Sequence, residues 1–290
     1  MSTGAEIQMG KRIFLYHANG FALGGRITQP VEQEINSHAA TALSIVGGLA
    51  SAKADSYRLK DLISYRSAHT YISGIQNNDT RHSTVVNTVV EDLNILDVIT
   101  ADSVIGRLSS THEDGQPAKI IPLGSTFQNL KIAGKPVEVD LFDNLFAHHS
   151  THSSLVDHFL GKCNSSDPCA GFTPPTQLRY EWGHPVANMP ATLQERLLAP
   201  PIPGWQQSGS HLYCSLVRSV REASSSGAVN APPVPYAHAI KIPDVGRLYL
   251  GELTSSEDTK RLTMMRLELG SPVVGSLAVA GLETNGKWYP

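Results

Sequence analysis

Between residues 83 and 109 the chain carries Val85, Val86, Val89, Val90, Leu93, Ile95, Val98, Ile99, Val104 and Ile105. β-Branched side chains lose rotamer freedom in a helix and pack well on a pleated surface, so a run this dense predicts strands. Strands cannot stand alone: their backbone groups need partners and one face needs cover.

The rest of the sequence supplies candidate neighbours. Residues 11–18 and 20–28 are rich in Ile, Phe, Leu and Tyr and are separated by Asn19-Gly20, which predicts a hairpin closed by a tight turn. Residues 40–52, around Ile45-Val46-Gly47-Gly48, read as a strand with a glycine bulge or close backbone packing. Tyr57, Leu59, Ile63, Tyr65, Tyr71 and Ile72 mark one or two more strands, and Glu113-Asp114-Gly115-Gln116-Pro117 has turn chemistry. Residues 125–141 read as a hairpin about Ala133-Gly134-Lys135-Pro136, and strand patterns return at 239–242, 245–250 and 262–280. The expected fold is mainly β: an antiparallel sandwich- or barrel-like framework with a mixed loop and helix insertion.

That insertion is residues 142–237, flanked by framework segments 1–141 and 238–290. Leu145, Phe146, His149, His152, Leu155, Val156, Phe159 and Leu160 recur at helical spacing, predicting a helix capped by Asp143 or Asn144 and ended by Gly161. Residues 190–198 read as a second short helix, the Pro174-Pro175, Pro201-Ile202-Pro203 and Pro232-Pro233-Val234-Pro235 clusters as extended linkers, and 208–220 as a strand returned to the framework. Cys163 and Cys169 bracket a polar loop that closes as a disulfide ring in an oxidising compartment and stays reduced in the cytosol.

Composition narrows the function classes. With 41% hydrophobic and 17% charged residues, 24 Gly and 18 Pro, the chain reads as globular and turn-rich rather than disordered. A net charge of -3 with no basic run lacks the footprint of a nucleic-acid binder. No apolar run approaches the roughly 18 residues of a membrane span, and residues 1–6 lack a signal-peptide pattern, so the default expectation is a cytoplasmic protein.

The sharpest chemical candidates lie in the insertion. On one helix His148 and His152 sit a turn apart, a spacing at which neutral imidazoles chelate a divalent metal. His149 and Asp157 lie on a different face and His158 on neither, and no His-Glu-x-x-His supplies a general base. The bland reading is a polar surface helix. Tyr180, Trp182 and His184, in the run Arg179-Tyr180-Glu181-Trp182-Gly183-His184-Pro185, together with Trp205, form either a ligand- or partner-binding wall or a plug docking the insertion onto the sheets. Nucleophilic catalysis has no Gly-x-Ser-x-Gly elbow behind it: Ser208-Gly209-Ser210-His211 reads as a loop, and Cys214 beside Tyr213 as a buried strand thiol. The glycines of 20–25 lack the following helix that a phosphate site requires.

Several framework segments carry a recurring pattern: Asn94-Ile95-Leu96 leading into Ile99-Thr100-Ala101-Asp102-Ser103-Val104, then Gly124-Ser125-Thr126-Phe127 and Asn129-Leu130-Lys131-Ile132-Ala133-Gly134-Lys135-Pro136-Val137. Later come Ile242-Pro243-Asp244-Val245-Gly246-Arg247-Leu248-Tyr249-Leu250-Gly251-Glu252 and the terminal block from Leu267-Glu268-Leu269 to Gly281. In this pattern the chain resembles the bacterial extracellular choice-of-anchor P family, in which the block ending here at Val137 and the block beginning here at Ile242 lie close together; in this chain residues 142–237 separate them. The resemblance implies a β-rich domain of surface-associated proteins, an extracellular or cell-surface location, and no catalytic residues to carry over.

The leading expectation is a non-enzymatic structural or interaction protein. Many strands with edges to protect and a low net charge suggest a homo-oligomer, or a polymer joined through strands and terminal arms. The alternatives are a metal-assisted enzyme with a pocket between insertion and sheet, using His148, His152 and His184, and a carbohydrate-binding protein using Trp182 and Trp205.

Overall fold

The computed structural model describes residues 12–122, 124–159, 206–208, 211–222, 234–235 and 238–289. The chain enters through β1 (Ile13–Gln29), β2 (Gln33–His38), β3 (Thr41–Ala42) and β4 (Gly48–Ala54), then β5 (Tyr57–Leu59), β6 (Ile63–Tyr65) and β7 (Ser67–Asn78). Two long strands follow, β8 (Arg81–Ile95) and β9 (Ile99–Glu113), and then the short β10 (Lys119–Ile121), β11 (Thr126–Gln128), β12 (Lys131–Ile132) and β13 (Lys135–Leu141). Helices α1 (Asp143–His148) and α2 (His152–Phe159) come next. The chain closes with β14 (Gln206–Ser208), β15 (His211–Ser215), β16 (Val217–Glu222), β17 (Val234–Pro235), β18 (Ala239–Ile242), β19 (Gly246–Ser255), β20 (Thr259–Leu269) and β21 (Val274–Tyr289).

These strands form two antiparallel sheets. The first runs β14-β15-β19-β20-β21-β1-β2, with β18 on β19 and β3 on β1. The second runs β17-β16-β13-β12-β9-β8-β6-β5, with β10 and β11 on β9, β7 on β8 and β4 on β7. They pack face to face, β1 and β21 against β8 and β9, so the fold is a sandwich rather than a barrel. The β-branched run of 83–109 lies on the two central strands of the second sheet. Val86 and Val90 on β8 and Val104 and Leu108 on β9 point into one continuous core, which also takes in Leu23, Ile27, Met264 and Val279 from the first sheet. Each fully buried aliphatic side chain contributes about 1.5–3 kcal/mol relative to exposure.

The predicted hairpin at Asn19-Gly20 is not formed. β1 continues through it as one 17-residue strand, paired with β21 from Ile13↔Tyr289 to Gln29↔Val274. The inward positions Phe14, Tyr16, Ala18, Gly20 and Ala22 alternate without a break, so the periodicity of the whole strand overrides the two-residue turn signal. Gly20 serves the packing instead. A Cβ there would lie 2.9 Å from Thr70 Cγ2, 3.1 Å from Val86 Cγ1 and 3.2 Å from Thr88 Oγ1, all on the opposite sheet. The hairpin expected at 125–141 does form, closing between Ile132 and Lys135 over Ala133 and Gly134, both with positive φ.

The single helix expected after residue 143 is broken into α1 and α2. Phe142 stands at the N-cap of α1 and makes no side-chain cap hydrogen bond. Between the helices the Ile120 N–H donates to the Ser150 carbonyl and Thr151 bridges Lys119, which pulls the chain into extended geometry. Thr151 then caps α2, accepting from the Ser154 N–H at 3.2 Å while the Thr151 N–H donates to Ser154 Oγ at 3.2 Å.

The strand expected to return from the insertion is present and serves both layers. β15 pairs with β19 in the first sheet, and β16 pairs with β13 in the second. At the crossing, the Leu216 N–H donates to the Gly251 carbonyl at 2.7 Å and the Leu216 carbonyl accepts from the Phe142 N–H at 2.8 Å. Cys163, Cys169, the proline clusters at 174–175 and 201–203, and the helix expected at 190–198 lie outside the described residues.

Gly20→Ala is expected to destabilise the protein by about 1–3 kcal/mol through overpacking between the sheets. A lower denaturation midpoint with an unchanged slope would register it.

Candidate functional site

Alternation carries polar side chains into one end of the sandwich as well as apolar ones. His82 and Thr84 on β8, Ser110 and His112 on β9, Lys260 on β20 and Thr284 on β21 occupy inward positions and are buried. His82 faces His112 across the β8–β9 ladder, and Lys260 faces Thr284 across β20–β21. Hydrogen bonds join the layers: Ser110 Oγ lies 2.7 Å from Thr284 Oγ1 and 3.3 Å from His112 Nε2, while the Tyr16 hydroxyl lies 2.7 Å from His82 Nδ1. Phe14 stacks on His82 at 4.4 Å between centroids, and Trp288 meets the same ring edge-on at 4.9 Å.

Lys260 is the unusual member, with no exposed surface. Its Nζ donates to the Glu257 carbonyl in the turn joining β19 to β20. Burial pushes the ammonium down to about 8, against the opposing pull of Asp258 and Glu257. Burial, reinforced by Lys260 and His82, pushes His112 down to about 4. An amine near 8 has nucleophilic character, but this one is enclosed and hydrogen-bonded to its own turn. The arrangement ties strand ends together.

Strand edges are the other place where chemistry is on offer, because an unpaired edge presents N–H and C=O groups to any extended chain. Among the described strands that pair on one side only, β4 is the longest, at seven residues against six for β2. β2 is blunted by Glu34 on the strand and by Glu32 and Pro30 just before it, β17 contains Pro235, and β5 has three residues. β4, Gly-Leu-Ala-Ser-Ala-Lys-Ala, has no proline and one charge. Its inner row, Ala50, Ala52 and Ala54, is half-buried against the core, while Leu49 on the outer row is 70% exposed. Ile45 and Val46 just before it are 62% and 78% exposed, and Tyr71 and Ile75 on β7 extend the same apolar margin.

A groove of about 520 Å³ opens along β13, lined from one side by β11 and the segment after it and from the other by β16. Phe127, Leu130 and Val139 line it, but its charges are matched in place: Arg221 pairs with Glu138, and Arg218 lies 3.7 Å from Asp140.

The sequence-derived candidates fare unevenly. His148 ends α1 and is exposed, whereas His152 starts α2 with Nδ1 3.2 Å from Ser255 Oγ, so the two do not share a helical face. The imidazoles brought together are His149 and His158, with ring centroids 4.7 Å apart. No group of three or more His, Cys, Asp or Glu poised to hold a metal occurs among the described residues. Tyr180, Trp182, His184 and Trp205 lie outside the described residues, as does the amino-terminal arm. Cys214 is a buried strand thiol, pushed up to about 12 by burial. The Lys260–His112 cluster went unnoticed in the sequence, although a signal exists: Lys260-x-Leu262-x-Met264 puts a lysine in register with an inward apolar row.

No helix among the described residues is long and apolar enough to cross a membrane. Residues 14–256 match a family model described as Domain of unknown function (DUF8256). No curated protein matches the chain.

The sign of the pH dependence follows from His112. Its folded value lies below the ordinary 6.5, so the unfolded chain binds more protons between about pH 6.5 and 4, and stability falls as pH drops through that window. The loss from this group reaches about 3 kcal/mol. Lys260 acts in a separate window, adding stability as pH rises from about 8 towards 10.5. Denaturation midpoints across pH 4 to 6.5 are expected to fall steeply for the wild type and less steeply for His112→Leu.

Proposed function

We propose that this chain, which belongs to the DUF8256 family, is a non-enzymatic structural or interaction protein that associates with copies of itself through the edge of its larger sheet. The observation that carries the reading is β4: the longest one-sided strand among those described, free of proline, with Leu49 exposed on it and Ile45 and Val46 exposed just before it. Natural sheets keep such edges short, charged or covered, because an open edge templates the addition of a strand. β2, β17 and β5 follow that rule and β4 departs from it, which supports a role for this edge in contact. The enclosure of Lys260 and His112 supports the same reading, since these two strongly shifted groups face the core. The likeness of the framework to choice-of-anchor P domains supports a surface-associated scaffold.

Sedimentation velocity of the whole chain, from sub-micromolar to near-millimolar concentration, tests the reading. The average mass is expected to rise above that of the monomer with concentration. A single monomeric species over the whole range would overturn it.

A further inference from the structure

The self-association proposed above leaves open how two copies meet, and the sequence of β4 narrows the choice. Only the centre of β4 is symmetric, Ala50 and Ala52 flanking Ser51; beyond it Leu49 is set against Lys53, and Gly48 against Ala54 at the ends of the strand. We propose that two copies pair their β4 strands antiparallel about a two-fold axis at Ser51, joining their larger sheets into one continuous sheet. The inference rests on the reading of β4 as a contact edge and adds the register and the symmetry.

Antiparallel partners point their side chains to the same face. With Ser51 opposite the partner's Ser51, Ala50 stands opposite the partner's Ala52 on the inner face, and Leu49 opposite the partner's Lys53 on the outer face. Each pair is sterically and chemically compatible. The methyl groups of the inner row allow close strand approach, and the aliphatic stem of lysine covers a leucine while its ammonium stays in water. A Cβ built at Gly48 would meet nothing within 4 Å, so among the described residues the end of the strand is clear. The half-burial of Ala50, Ala52 and Ala54 shows that the opposing layer does not fully cover β4, which leaves room beneath it for the partner's alanine row. Tyr71, opposite Ser51 on β7, is 42% exposed and borders the outer face of the junction.

An isologous contact of this kind uses its edge completely, so it closes at two copies and does not propagate. Isolated charges at β4 are few: Lys53 lies 3.6 Å from Asp55 in the same chain, which moderates repulsion between the two copies of Lys53.

Charge reversal at the axis provides the test. Ser51 is exposed and its side chain leaves the core untouched. Ser51→Lys and Ser51→Glu, each alone, set like charges face to face across the axis, and each is expected to weaken the dimer about tenfold or more. Mixing the two variants in equal amounts is expected to restore a dimer at wild-type concentrations, which also shows that both variants are folded. A wild type that dimerises while both single variants dimerise equally well would sink the register and leave self-association standing. Loss of the dimer in both variants without recovery on mixing would likewise remove the Ser51 axis. A wild type that stays monomeric throughout would remove the underlying reading as well.

Discussion

Everything in this fold depends on how closely the two sheets approach. β1 and β21 lie across β8 and β9, and the approach is set by positions that have no side chain: Gly20, facing Thr70, Val86 and Thr88, and Gly106, where a Cβ would come within 2.5 Å of Leu282 Cδ1 and 2.9 Å of Met264 Cγ. Sheet packing at this separation gathers the buried apolar residues of both layers into one large cluster, with Ala239 and Tyr249 in a small one beside it among the described residues. It also brings Ser110 within hydrogen-bonding distance of Thr284 and encloses His112 and Lys260. The polar end of the sandwich is thus a consequence of the apolar middle. Once the layers are held together, whatever occupies the inward positions at their ends is buried with them.

Much of the framework was legible because two-residue periodicity is a strong signal when it runs long. The β-branched density of β8 and β9, the alternation in β20 and β21, and the Ala133-Gly134 turn all translate directly into observed elements. The error at Asn19-Gly20 arose because a local turn signature competes with seventeen residues of uninterrupted strand pattern, and the pattern wins when a long partner such as β21 pairs along its length. The broken helix at 149–151 was illegible for a different reason. Its cause is a tertiary contact, the bridge from Lys119 to Thr151, and a helical periodicity has no access to where a distant strand will lie.

The candidate site was less legible than the fold. Rare residue types, the clustered histidines and the tryptophans, stand out in the sequence because chemistry usually announces itself that way. The features the structure brings forward are made of common residues in uncommon places: alanines and a serine on an open edge, a lysine in an apolar row. The pattern of residues 40–52 predicts a strand with a glycine bulge or close backbone packing, but it carries no sign that the second edge of β4 is left without a partner strand among the described residues. Edge status belongs to the sheet, since it depends on the order of all the other strands.

The backbone of Leu216 gives the molecule a property neither sheet would have alone. Its N–H is bound to Gly251 of the first sheet, and its carbonyl to Phe142 at the end of β13 in the second. A single peptide segment is thereby stitched into both layers at the point where the chain passes between them. Loosening either layer there strains the other through one residue, with no side chain to absorb the movement. The two sheets are therefore coupled as one mechanical body, and local opening at this corner propagates across the sandwich rather than remaining within one sheet.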